Sequence, residues 1–193
     1  MNKTAFFFLL AAPASSFCFG FSDIVNWTGT GSNRAAMVLD WNDGTADRSL
    51  AWGFRWDGTK TAEDMLRAID GNDPRLTLSF TFYSGLGYAL TQATYDRDLN
   101  GTPEHDEGGF NAGTPGYWAY YIGNSPTAVP TWSSSDFGIS GVTLENNDWD
   151  GLSWAPNFVD GPPADPQAAP VPEPLTFFAL AGLLAISRKR QPR

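Results

Sequence analysis

The 193-residue chain has a single cysteine, Cys18, and a single histidine, His105. The first scarcity excludes an intramolecular disulfide framework and a cysteine-ligated zinc site. The second excludes every catalytic or metal constellation built on two histidines. Basic charge is also sparse. Residues 22 to 170 hold 20 Asp and Glu against 7 Lys and Arg, an acidic excess of 13, and from Asp98 to Ser187 no Lys or Arg occurs. A surface of that sign repels phosphate backbones and anionic headgroups, which excludes nucleic acid as a partner and makes cations the expected small partners. Neither a Gly-x-Ser-x-Gly elbow nor a phosphate-cradling glycine loop is present. What is abundant is apolar surface: 42% of the chain is hydrophobic and 15% aromatic, against 17% charged, so the chain can build a core. The length suits one domain with segments at both ends.

Both ends read as addresses. Lys3, the apolar run Ala5 to Ala14, and small residues at Ala12-Pro13-Ala14 or Cys18-Phe19-Gly20 have the architecture of a secretory signal peptide over residues 1–20. At the other end a Pro-rich stretch, 159–171, reads as a stiff linker. It leads into Pro172-Glu173-Pro174, an apolar stretch Leu175 to Ser187 expected to form a short hydrophobic helix, and the basic cluster Arg188-Lys189-Arg190. At a rise of ~1.5 Å per residue that stretch reaches about 20 Å, short of the ~30 Å hydrocarbon layer, while the basic stop places the acidic domain outside the cell.

Residues 171–193 resemble the PEP-CTERM sorting signal of exported bacterial proteins, with Pro172, Glu173 and Pro174 as the motif. The resemblance implies a transmembrane segment within the tail at 172–193. It also implies recognition by an exosortase, a membrane-embedded cysteine transpeptidase, membrane anchoring before processing, and delivery to the cell envelope, cell surface or an extracellular polysaccharide matrix. It is silent about the activity of the domain between.

That domain, 22–158, is expected to be α+β, mainly antiparallel β with one main helix. Ala35–Trp41 and Leu50–Trp56 read as a hairpin. Ala62, Met65, Leu66 and Ile69 fall at i, i+3, i+4 and i+7, which predicts a helix over about 61–69 with Thr61 as N-cap and Gly71 just past its end. Leu76 to Tyr83 alternates apolar and hydroxyl residues as a half-buried strand does, and 88–95, 117–122, 142–144 and 152–154 read as further strands. The Trp-Asn-Asp-Gly and Trp-Asp-Gly sequences at 41, 56 and 149 read as tight turns after strand ends. Landmarks in the same order (Gly58-Thr59, Met65-Leu66, Gly85-Leu-Gly-Tyr88, Tyr117 to Asn124, Leu152-Ser-Trp154) are similar to the transcobalamin-like C-terminal domain, a β-grasp arrangement. In that family the domain contributes to corrinoid or related ligand binding when a second domain faces it.

Two features carry candidate chemistry. Asp96, Asp98, Asn100 and Thr102, with Gly101 at the bend and Glu107 at the twelfth position, have the spacing of a calcium loop, because alternate oxygen-bearing side chains converge on one hard ion. A solvated acidic turn is the competing reading, with His105 as a surface imidazole inside it. Eight tryptophans lie between Trp27 and Trp154; most belong to the core, but Trp118, Tyr120 and Tyr121 form the group to expect at a glycan-binding face. The chain is therefore expected to be an exported, non-enzymatic structural or interaction protein with one calcium. A ligand-binding module for glycans, or a corrinoid, is the alternative class, and a carboxylate-pair glycoside-acting enzyme the remote one.

Overall fold

The computed structural model describes residues 18–109 and 115–172. The apolar N-terminal run, Glu173 and Pro174 of the expected sorting motif, and the expected C-terminal helix lie outside them. Ten strands and one helix follow in order: β1 (Trp27–Gly29), β2 (Asn33–Asp40), β3 (Ser49–Trp56), α1 (Ala62–Asn72), β4 (Leu76–Tyr83), β5 (Gly87–Tyr95), β6 (His105–Gly108), β7 (Gly116–Asn124), β8 (Ser133–Ser134), β9 (Asp148–Pro156) and β10 (Gln167–Ala168). They form a larger sheet in the order β1-β3-β2-β9-β7-β8, with β10 also on β3, and a smaller one in the order β4-β5-β6. Pairing is mainly antiparallel; β1 and β10 run parallel to β3, and β9 parallel to β2. The architecture is α+β.

The expected hairpin is β2–β3, with Met37 opposite Trp52 and Leu39 opposite Leu50. Its period of two sends Met37, Leu39, Trp41, Trp52 and Phe54 to one face, where they meet the buried stripe of α1 and the apolar side of the smaller sheet. Ala36, Val38, Ala51 and Trp149 face the other way and are covered by Phe21, Ile24 and Trp132. Burial on both faces explains why the Ala35 to Leu39 run is continuously apolar. The sheet is close-packed at its edge too: a side chain at Gly53 would collide with the Trp27 ring lying over it.

The helix begins as expected. Thr61 Oγ1 accepts from the Asp64 amide at 3.2 Å, and Asp64 Oδ2 accepts from the Thr61 amide at 3.0 Å, a reciprocal cap. It runs through Gly71, however, and ends at Asp73, whose amide donates to the Ile69 carbonyl at 2.9 Å, because the Asp73 side chain is drawn into a buried network. Two other expectations fail for a tertiary reason. Residues 142–144 form only a bridge, Thr61 to Thr143, since they follow the helix start and not a strand. Trp149-Asp150-Gly151 is no turn but the interior of β9, which spans nine residues because both of its neighbours pair with it.

The Pro-rich segment also differs from a free linker. Beyond Phe158 the chain crosses back over the larger sheet: Ala164 donates to Asp40 Oδ2 at 2.8 Å, Ser49 Oγ donates to the Ala164 carbonyl at 3.0 Å, and Ala169 donates to the Ala51 carbonyl at 2.9 Å. An edge strand needs only alternate donors, so proline is tolerated there. The segment ends in a clamp. The Pro170 carbonyl accepts from Asn26 Nδ2 at 3.1 Å and from Arg75 Nη2, and Arg75 is itself held by Asp73 at 2.7 and 2.8 Å. The folded unit thus reaches at least to Pro170. At the other end Phe19 packs edge-on against Trp149, and its carbonyl accepts from Val129 at 2.9 Å, so the fold starts before residue 20.

Candidate functional site

The acidic loop joins β5 to β6. Asp96 accepts from the amides of Asn100 at 3.1 Å and Gly101 at 2.7 Å, Asn100 Oδ1 accepts from Thr102 at 2.7 Å, and Glu104 Oε2 accepts from the Arg97 amide at 2.6 Å. Oxygens of Asp96, Asp98 and Glu104 lie within 4.8 Å of one another, a group that could hold a metal ion. Asn100 stands beside this group, its Nδ2 donating to Asp98 Oδ2 at 3.1 Å while its Oδ1 accepts from the Thr102 amide. One of the five expected ligands is carried away from it. Glu107 has left the loop, because β6 begins at His105 and pairs with β5; there its backbone carbonyl accepts from Trp118 Nε1 at 3.3 Å. Burial, then Asp43 and Asp106, push the Glu107 carboxyl up.

His105 is not a surface imidazole. It is 1% exposed, stacked on Trp41 at 4.8 Å, with Nδ1 2.6 Å from Asp43 Oδ2. Burial alone would raise the Asp43 carboxyl, but the bonds from His105 and Thr45 outweigh it and hold the group below its ordinary range. The dyad faces aromatic rings, and Nε2 has no hydrogen-bond partner among the described residues.

The second candidate is a cleft of about 740 Å³ between the two sheets, within the size range of small-molecule sites. Its walls carry six aromatic rings: Tyr83, Tyr117, Trp118, Tyr120, Phe137 and Phe158. Leu86, Leu90, Ile139 and Leu152 fill the spaces between them. The local causes are legible. Alternation along β7 turns Trp118 and Tyr120 inward, and a bulge opposite Ser79–Phe80 lets consecutive residues Leu90 and Thr91 both line the wall. The loop 135–139 crosses the mouth, anchored by Gly138 to the Leu86 carbonyl at 3.0 Å and Ile139 to the Tyr88 carbonyl at 2.9 Å.

Three polar side chains of the lining are already engaged. Thr91 Oγ1 donates to the Ser79 carbonyl, Ser135 Oγ to the Phe137 carbonyl, and the Tyr120 hydroxyl to Asp150. Burial drives the Asp150 carboxyl up to about 7; the Tyr120 bond lowers it in part and Asp148 raises it further. Burial and then Asp150 push the Tyr120 hydroxyl far up, so it stays protonated.

Trp118, Tyr120 and Tyr121 therefore do not share an exposed face. They are 5%, 9% and 7% exposed, and Tyr121 points to the opposite side of the sheet, beside Trp132. Alternation along β7 sends Tyr120 into the main core and Tyr121 to the opposite face. Sequence reasoning missed Tyr83, Leu86, Phe137 and Phe158. Phe137 and Phe158 did carry a signal, since a phenylalanine embedded in Ser, Asp and Gly turn chemistry has no strand or helix to bury it. No family model matches the chain, and no curated protein or solved structure matches it.

Proposed function

We propose that the chain is an exported, exosortase-sorted cell-surface or matrix protein whose domain is a non-enzymatic binding module, with the aromatic cleft as its site. One observation carries the binding role. Ten large hydrophobic side chains are exposed among the described residues, and five of them (Tyr83, Leu86, Tyr117, Phe137 and Phe158) line this single cleft. Scattered exposed apolar residues are ordinary, whereas their convergence on a concave site marks a binding surface. Export rests on the two ends of the sequence, and the packing of Phe19 on Trp149 favours signal cleavage at Ala12-Pro13-Ala14 over the site after Gly20.

A glycan fits this lining poorly, because its hydroxyls would meet rings and already-bonded polar groups. The β-grasp resemblance is supported by the hairpin β2–β3, the helix after it, and the return of β9 parallel beside β2. Corrinoid binding has that resemblance alone behind it.

The uncharged fluorophore N-phenyl-1-naphthylamine is expected to bind the wild-type domain with a rise in emission. Ala89→Trp, which fills the cleft from β5, is expected to lose the rise while keeping the native circular dichroism. Equal titrations of the two proteins would remove the cleft as the site.

Calcium belongs to the acidic loop, held by Asp96, Asp98 and Glu104, whose mutual repulsion a cation relieves. With a Kd of ~0.1 mM and ~1 mM calcium, binding stabilises the fold by about 1.4 kcal/mol, a melting rise of roughly 3–6 °C. Asp98→Ala should abolish that rise; identical melts in calcium and in chelator dispose of the site.

A further inference from the structure

Resting on the cleft as the binding site, we infer that its ligand is an organic cation, a tertiary or quaternary ammonium carried on an apolar body. Two independent features of the site select that chemistry.

The first is the wall itself. Six aromatic rings surround a volume of about 740 Å³, which suits the electron-rich ring faces that attract a weakly hydrated cation once water is displaced. At the mouth, Tyr117 and Phe158 stand stacked at 6.4 Å and 21°, both exposed, which fixes two of the rings beside the deeper Trp118. A compact alkylammonium can place its methyl groups on such rings, whereas a primary ammonium would lose hydrogen bonds to water that the engaged polar groups of the lining cannot replace.

The second is the distribution of charge. Between Arg75 and Arg188 the only Lys or Arg is Arg97, and it is bound to Asp47. Every lining residue lies in this stretch, from Tyr83 to Phe158, so none of the wall is basic. Carboxylates, in contrast, stand around it. Asp136 is exposed on the loop that crosses the mouth, between the lining residues Ser135 and Phe137, and Asp160 accepts from the Tyr121 hydroxyl at 3.5 Å and, after burial, raises the hydroxyl of the lining residue Tyr117. The acidic field concentrates cations at the mouth and disfavours carboxylate or phosphate amphiphiles that the apolar wall would otherwise accept. An ammonium head among the rings, near Asp160 and Asp136, with its apolar body against Leu90, Ile139 and Leu152, satisfies both features.

The test displaces N-phenyl-1-naphthylamine from the full domain with benzyltrimethylammonium and with neopentylbenzene, its uncharged carbon isostere. The cation is expected to bind at least about tenfold more tightly. Raising the salt from 0.05 to 0.5 M, an experimental choice, should weaken the cation and spare the isostere. Tyr117→Leu keeps the wall apolar and removes one ring face; together with Asp160→Asn it should bring the two ligands toward equal affinity. Equal affinity in the wild type overturns the charge inference and leaves the cleft standing. Cation binding that survives Ala89→Trp places the ammonium on the acidic surface elsewhere and also overturns it. Failure of the dye and both ligands to bind removes the cleft itself.

Discussion

Arg75→Met is expected to destabilise the domain by about 3–5 kcal/mol, lowering the melting temperature by roughly 6–20 °C. The reason is what the substitution leaves behind. Asp73 is 1% exposed and accepts from Arg75, from Trp52 Nε1 at 3.0 Å and from Asn26 Nδ2 at 2.9 Å. Burial alone would raise its pKa, but these bonds outweigh the burial and hold the carboxyl below the ordinary range. Without the guanidinium, a buried carboxylate keeps three neutral donors, from Trp52, Asn26 and the backbone amide of residue 75, and loses its counter-charge. A lowered folded-state pKa also fixes the pH sign: the network's contribution is present above the ordinary carboxylate value and is lost as the pH falls through the folded value.

The same variant has a local readout that general destabilisation does not share. Arg75 holds the Pro170 carbonyl, so its loss should release the returning segment before the sheet opens. Hydrogen exchange at the Ala164 and Ala169 amides should be slow in the wild type and approach the free-chain rate in Arg75→Met, while Ala36 and Val38 remain protected. Free exchange of Ala164 and Ala169 in the wild type would mean that the Pro-rich segment is a loose spacer after all.

Trp41→Ala is the second large effect, with an expected loss of about 3–5 kcal/mol in urea unfolding. Trp41 is completely buried where the two sheets meet. Its ring lies edge-on to Trp52 and Trp118 at 6.5 and 6.2 Å and stacks on His105 at 4.8 Å, while Nε1 donates to the Ala93 carbonyl at 2.9 Å. Removing it takes contacts from both sheets at once and opens a void against rigid rings that cannot close over it. Trp41→Phe keeps most of the packing and strands only the carbonyl of Ala93, so its cost should be near 1–3 kcal/mol. A loss below 1 kcal/mol for Trp41→Ala would show that the sheets are held together elsewhere.

Elements governed by neighbours in the chain were legible. The Ala62, Met65, Leu66, Ile69 stripe with Thr61 ahead of it specified the helix, and the alternation of Leu76 to Tyr83 specified β4. The turn-forming carboxylates of the acidic loop were also identifiable, because Asp96 and Asp98 interact across two to five residues. Sequence reasoning did not see where Glu107 goes. Its position-twelve spacing is the same whether the chain closes on an ion or departs into a strand, and the pairing of β6 with β5 decided that.

The site was the least legible part. The cleft draws on β4, β5, β7, β9, the loop at 135–139 and Phe158, so no local pattern contains it, and Trp118 looked like a surface aromatic until β7 paired with β9. The acidic stretch between the ends, the helix at 62–72, the apolar ends and the sparse histidine and cysteine follow from composition and short-range spacing alone, because those properties depend on residues a few positions apart. The docking of residues 163–170, the burial of His105 on Trp41 and the cavity between the sheets were settled only by long-range packing, where a side chain's surroundings come from segments up to 144 residues away.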